Sequence, residues 1–398
     1  MPWRESRVLD ARLEFVASCL SGEVSMTQAC EAYGISRKTG YKWLGRYATE
    51  GSAGLSERSH APLRHGLATD PALIEAIILL KAARPSWGPR KLVARLRLDH
   101  PDLAWPSAST AGDALKRVGL VAPRHRRRRA VPTLGGLTMP ERPNHVWAAD
   151  HKGWVRLGDG VRCEPLTVTD GFSRYLLALS AGSGTREVDA RPWFEAAFAE
   201  FGLPDAIRSD NGPPFASTGV TGLTALSVWW AKLGIRHERI APGKPQQNGR
   251  HERFHRTLLE AMHPPSANQA AQVERFAAFR QDYNHQRPHE ALGQLPPAAL
   301  YRPSNRKLPN PPPEPIYPAE AAVRQVRSNG EIKWCGDLVY ISTALVGEAV
   351  ALIETEQGQW QVRFHHLPIG IIDRKTNRLG RLSVPTSNSP KVSPIHPG

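Results

Sequence analysis

Apolar positions along this chain change period twice, and the changes mark its organisation. Over residues 8–47 they recur at helical spacing. Met26, Ala29, Cys30 and Tyr33 share one face, with Ser25 placed to cap that helix and Gly34 to end it. After Ile35 the chain turns and Ser36 caps again. The short helix that follows carries Arg37, Lys38, Thr39, Tyr41 and Lys42 outward and Trp43 and Leu44 inward. This is a helix-turn-helix pattern with a basic second helix, and the five outward residues are candidate DNA contacts. An ordinary helical hairpin with a solvated charged face is the alternative. A second helical unit spans 73–80, 90–98 and 107–118 and ends at Gly119, again in a helix-turn-helix-like arrangement. Beyond it, Arg124, Arg126, Arg127, Arg128 and Arg129 form a run that cannot fold on itself. It suits a DNA backbone, or a solvated linker that orders only there.

From Asn144 the period falls to that of strands: 146–150, 153–157, a hairpin turn at Asp159-Gly160, then 164–170 and 175–180, implying three antiparallel strands. A helix follows, with Ala190, Trp193, Phe194, Ala197, Phe198 and Phe201 as its core stripe and Gly202 and Pro204 as its stop. Next come a strand over 206–209 with Asp210 at its end, a helix over 223–233 capped by Gly234, a strand over 235–240, and a helix from Asn248. The first five elements of this βββαβαβα order are those of a ribonuclease H-like fold, a fold-level analogy. The prolines between 303 and 318 predict an extended spacer. Short strands at 332–334, 338–341, 349–353 and 360–364, broken by glycines, then predict a small β-barrel. The expected class is multidomain. All-α helix-turn-helix units occupy 1–60 and 61–122, a basic linker 123–140, and an α/β mixed-sheet core 141–302. A Pro-rich linker over 303–318, a β-barrel over 319–380 and a disordered tail over 381–398 complete it.

Composition narrows the partners. A chain of 398 residues, 40% apolar, can bury several cores, and its formal charge of +15 favours polyanions. A membrane surface is the rival. The longest apolar run, near 76–80, is far short of the roughly 20 residues that span a bilayer. Met1-Pro2-Trp3-Arg4-Glu5 also lacks an apolar export core, so a cytoplasmic, nucleoid-associated protein is expected. Cys19, Cys30, Cys163 and Cys335 lie too far apart for a zinc knuckle and read as reduced core thiols.

Three carboxylates carry the chemistry. Asp150 ends the first core strand, Asp210 ends the fourth, and Glu252 lies one turn into a helix. In a ribonuclease H-like sheet those strands are neighbours, so the aspartates can share an ion while the glutamate reaches in from the side. Mg²⁺ or Mn²⁺ prefers such oxygen ligands, and two ions about 3.5–4 Å apart serve phosphodiester chemistry. The surrounding words are Trp147-Ala148-Ala149-Asp150, Thr169-Asp170-Gly171-Phe172-Ser173-Arg174-Tyr175, Arg208-Ser209-Asp210-Asn211-Gly212, the run from Pro245 to Phe254, and the run from Tyr283 to Leu292. In that order they resemble the integrase-core transposases of bacterial insertion sequences, relatives of retroviral integrase.

The resemblance implies that Asp150, Asp210 and Glu252 form a catalytic, metal-binding DDE triad. It also implies that the loop 243–249 touches DNA through Lys244, Gln246, Gln247 and Asn248. The implied partners are double-stranded DNA, both element ends and target, and further copies of the chain in a dimer or tetramer. The implied reaction is cleavage at terminal inverted repeats followed by strand transfer. In one departure, 41 residues lie between Asp210 and Glu252, more than is usual in that family. The surplus is expected as a surface loop over 217–224. The retroviral His/Cys zinc head is absent.

His251-Glu252-Arg253-Phe254-His255 also fits H-E-x-x-H, the zinc-protease signature, though with cations beside the supposed zinc and no evident third ligand. Asp170 reads as a turn cap with Arg174 as a structural partner, and Asp189 and Asp205 as helix-start and turn residues. A DNA-binding regulator that no longer cuts, or a plain nuclease, stays open from sequence.

Overall fold

A computed structural model of the chain describes residues 8–58, 69–121, 136–373 and 376–382. It divides into two compact units, 1–69 and 70–398. In the first, α1 (Val8–Leu20), α2 (Met26–Ala32) and α3 (Arg37–Glu50) enclose Phe15, Val16, Ala29, Cys30, Trp43 and Leu55. Ser25 and Gln28 form a reciprocal capping box on α2, and the Ser36 hydroxyl accepts the Thr39 amide at 3.2 Å to start α3. The α2–α3 approach is close. A Cβ on Gly40 would lie 2.7 Å from Cys30 Sγ, so glycine is needed there. α3 continues to Glu50, longer than the short helix predicted.

The second unit begins with α4 (Pro71–Ala83), α5 (Pro89–Asp99) and α6 (Ala108–Arg117), packed around Ile77, Trp87, Leu92, Trp105 and Leu115. This helical group rests on the helices that follow the central sheet: Arg84 pairs with Asp282, and Ser86 Oγ donates to Glu260 at 2.8 Å.

The central sheet holds β1 (Val146–His151), β4 (Leu166–Asp170), β5 (Leu176–Leu179), β6 (Ala206–Ser209) and β7 (Arg236–Arg239), in the order β5-β4-β1-β6-β7. β1, β4 and β5 are antiparallel, whereas β6 and β7 add in parallel. The strand expected over 153–157 is not in this sheet. It is β2 (Val155–Arg156), paired only with β3 (Arg162–Cys163) in a separate ribbon. Alternation assigns each face. Trp147, Ala149 and Ile207 point to α7 (Glu187–Phe201) and α8 (Ala225–Lys232), where Phe194, Phe198 and Trp230 complete the core. The opposite face meets α9 (Gly249–Met262). Behind it lies α10 (Gln269–His285), a helix the sequence reading did not assign, although Phe276, Phe279 and Tyr283 keep helical spacing and Asn268 caps it. The residues 217–224 form an irregular loop with exposed Gly219 and Val220, and α8 behind it keeps Trp230 fully buried.

The C-terminal part is a five-stranded sheet with a hairpin over one side. Strands β8 (Ala322–Gln325), β11 (Ala349–Glu354), β12 (Trp360–Phe364), β13 (Leu367–Asp373) and β14 (Arg378–Gly380) run in the order β14-β13-β12-β11-β8. Among the described residues no pairing joins the two edges. The hairpin β9 (Glu331–Trp334) and β10 (Asp337–Tyr340) covers the open side instead, contributing Ile332 and Val339 to the interior. Nor does the Pro-rich segment hold this part away from the core. The Ser304 amide donates to Phe201 O at 2.7 Å and Arg306 donates to Leu233 O at 2.9 Å, while Val228 and Ala231 of α8 share the hydrophobic cluster of the C-terminal sheet.

Candidate active site

Parallel pairing of β1 with β6 sets Ala148 opposite Arg208, so two residues further on Asp150 and Asp210 end up side by side at the strand termini. Glu252, in the first turn of α9, is exposed above them. The trio converges electrostatically. The Asp150 carboxyl is pushed up to about 7, by burial first and then by the negative charge of Asp210, with Glu252 adding to it. Opposing this, the Asn248 amide donates to Asp150 Oδ2 at 2.8 Å. The Gly212 amide holds Asp210 Oδ1 at 3.1 Å, in the turn of Asp210-Asn211-Gly212. A buried carboxylate with two further acids beside it, their charge adding to burial in raising its proton affinity, forms a donor set suited to a hard divalent cation.

The histidines of the H-E-x-x-H match lie beneath this corner. His251 and His255 are only 2% and 8% exposed, and with Asp150 each brings a ligand atom to within 4.8 Å of the others. Their ε nitrogens are already engaged. Thr167 Oγ1 donates to the Asp150 carbonyl at 2.9 Å, and its lone pairs face His251 Nε2 at 2.6 Å and His255 Nε2 at 2.9 Å. With the threonine proton committed, both imidazoles must donate through Nε2, which therefore has no lone pair for zinc. Burial lowers the pKa of both, to about 3 for His251, so they pack as neutral rings. His255 Nδ1 stands 4.0 Å from Asp150 Oδ2, outside hydrogen-bond reach. Sequence motifs pointed to these rings for a different chemistry. Only the register Asp150↔Thr167 reveals their supporting role.

Residues 140–245 and 233–297 match the family described as Integrase core domain. Residues 11–62 match a Helix-turn-helix domain, 39–115 a Homeodomain-like domain, and 321–380 the IS481 family transposase, C-terminal domain. The chain is 33% identical over 189 residues to an uncharacterized 31.7 kDa protein of insertion element IS407 from Burkholderia multivorans, covering 46% of this chain and 65% of that protein. It is 29% identical over 252 residues to an uncharacterized 39.2 kDa protein of insertion element IS476 from Xanthomonas euvesicatoria, covering 62% and 69%. The chain carries an integrase core and is similar to proteins of bacterial insertion elements. It thus spans just under two thirds of the first relative's length. A chain of a simian T-cell lymphotropic virus intasome aligns over 78% of this chain and 99% of that one at 19% identity, with a TM-score of 0.35.

The nucleic-acid contacts expected for this family fall unevenly. Arg37, Lys38, Tyr41 and Lys42 are exposed on α3, whereas Thr39 turns back to share a hydrogen bond with Ser36 at 2.9 Å. Arg124, Arg126, Arg127, Arg128 and Arg129 lie outside the described residues. In the loop before α9, Lys244 and Gln246 are exposed. Gln247 is buried and accepts the Ala241 amide at 2.7 Å, so it shapes the loop, and Asn248 serves Asp150. Asp170 caps its turn as expected, accepting from the Asn144 amide at 2.8 Å and the Ser173 amide at 2.7 Å, but Arg174 donates to Gly171 O instead. Asp189 closes the start of α7 with Arg186, and Asp205 pairs with Arg142 at 2.5 Å. Among the described residues no helix is long and apolar enough to cross a membrane.

Proposed function

We propose that this chain is a DNA transposase that binds the terminal inverted repeats of an insertion element, cuts at their ends and joins the freed 3′-hydroxyl to target DNA. The observation that carries the reading is the convergence of Asp150, Asp210 and Glu252 at one corner of the sheet, close enough that the neighbours' charges raise the Asp150 pKa. The three carboxylates would hold two Mg²⁺ or Mn²⁺ ions. When bound, such ions activate an attacking oxygen and stabilise a leaving one. The chain's own residues prepare that corner. Asn248 fixes the rotamer of Asp150, and Thr167 with the two neutral histidines backs its strand with hydrogen bonds. Exposed Glu252 closes the trio from the solvent side, where a phosphodiester has access. The exposed basic face of α3 would read the repeat, and the basic run near 124–129 would follow the backbone. Two element ends in one reaction call for a dimer or tetramer on DNA.

The test is strand transfer with a labelled element-end duplex in Mg²⁺, beside Asp210→Asn and Glu252→Gln. Joined products should appear with the wild type and drop to background in both variants while binding persists. Binding without cleavage or joining, in Mg²⁺ and Mn²⁺ alike, would mean a DNA-binding regulator. Cleavage without joining would mean a nuclease.

A further inference from the structure

On the sheet face covered by α9, two residues back along β1 from Asp150, lies a cavity lined by Ala148, Thr169, Arg174, Arg208, Asn248 and Arg250. At about 3.4 Å per residue it is about 7 Å from the acidic corner. Its volume of about 50 Å³ admits one tetrahedral oxyanion. A nucleoside or metabolite would need several hundred Å³.

Three guanidinium groups border this space, and their charges are incompletely matched. Arg208 is 6% exposed. One of its terminal nitrogens donates to Glu238 at 2.9 Å and to Thr138 O at 2.5 Å, but its Nε is buried without a partner. Arg174, held at φ +66°, donates to Gly171 O at 2.6 Å. Arg250 donates to the same carbonyl at 3.3 Å and to Met139 Sδ at 3.7 Å. These last acceptors carry no charge. Asp170 is in the wall too, yet its oxygens already accept from the Asn144 amide, the Ser173 amide and the Ser173 hydroxyl. Buried cations are normally paired, and a buried N–H is normally bonded; with Glu238 taking only a terminal nitrogen of Arg208, the lining suits an anion that accepts hydrogen bonds. Burial and repulsion from Arg250 lower the Arg174 pKa, in keeping with that gap.

We propose that this cavity is a phosphate site, separate from the carboxylate corner, and that its occupant on DNA is a backbone phosphate flanking the reacting bond. Exposed Arg250 stands at its mouth, and Asn248 forms a wall common to the cavity and to Asp150. Only the DNA source of the phosphate rests on the function proposed above.

Two arms test this with the full chain. In the first, inorganic phosphate is titrated by calorimetry into wild type, Arg250→Gln and Arg250→Lys, each checked by thermal melting. Wild type should bind, Arg250→Gln should weaken binding by at least about tenfold, the loss of a charge-assisted hydrogen bond, and Arg250→Lys should recover part of it. In the second, single methylphosphonates are walked along an element-end duplex. One position should weaken wild-type binding but leave Arg250→Gln unaffected. Phosphate binding lost in Arg250→Gln without any such position would keep the site and overturn the backbone source. A coupled position without free-phosphate binding would support the backbone source alone. Equal phosphate binding by wild type and Arg250→Gln, or neither phosphate binding nor a coupled position, overturns the site. A chain inactive in strand transfer leaves the phosphate titration readable, so the two proposals fail separately.

Discussion

Replacing Asp150 by asparagine should stabilise the metal-free protein while abolishing its chemistry. The Asp150 carboxyl rises from an ordinary 3.8 to about 7, so at pH 8 the folded state holds a charge it disfavours. At about 1.4 kcal/mol per tenfold, this costs up to about 4 kcal/mol of folding stability. The sign follows from linkage. Below about pH 4 the group is protonated folded and unfolded, and nothing is lost. Between pH 4 and 7 the folded chain keeps a proton that the unfolded chain releases, so stability falls as pH rises, and above 7 the loss is complete. At pH 5 the cost should be about 2 kcal/mol. Asparagine keeps an oxygen for the Asn248 amide and removes the repulsion from Asp210 and Glu252. Thermal melts in EDTA should therefore place Asp150→Asn above wild type by roughly 5–10 °C at pH 8, with the gap at least halved at pH 5. Mg²⁺ should then raise the wild type and not the variant. A variant that melts at or below wild type at pH 8, or a gap independent of pH, would refute the repulsive acid corner.

Thr167→Val should leave the Nε2–H groups of His251 and His255 unpaired in the interior, at roughly 1–3 kcal/mol each, seen as a lower melting temperature. An unchanged melt would mean the tautomers are assigned wrongly. Removing residues 319–398 should expose Val228 and Ala231 and break the 2.7 Å Lys232–Glu348 pair, producing aggregation in size-exclusion chromatography. A soluble, monodisperse truncation would show that the C-terminal sheet only rests on α8. Alanine at Lys38 and Lys42 together should reduce the slope of log affinity against log salt by about one per lost phosphate contact, measured by fluorescence anisotropy. An unaltered slope would move the DNA interface off α3.

The local elements were legible because capping and periodicity are written in neighbouring residues. Ser25, Ser36 and Ser107 start their helices, and the stripe from Ala190 to Phe201 marks the core side of α7. The positions of Asp150 and Asp210 at strand ends, and of Glu252 in the first turn of a helix, were also legible from local pattern. What required the fold was pairing across long separations. No local pattern reveals that β2 leaves the sheet for a ribbon with β3, or that the C-terminal strands order as β14-β13-β12-β11-β8 beside a separate hairpin, because edge partners are chosen by three-dimensional packing. The Pro-rich segment reads as a spacer by composition, yet Arg306 pins it to carbonyls on α8's end. The histidines show the distinction most clearly. The sequence determined that His251 and His255 share a helix face one turn apart, which is as compatible with zinc as with a core. Only the register of β1 against β4 put the Thr167 hydroxyl between them, and one hydroxyl with its proton spent elsewhere leaves both rings as donors that support Asp150.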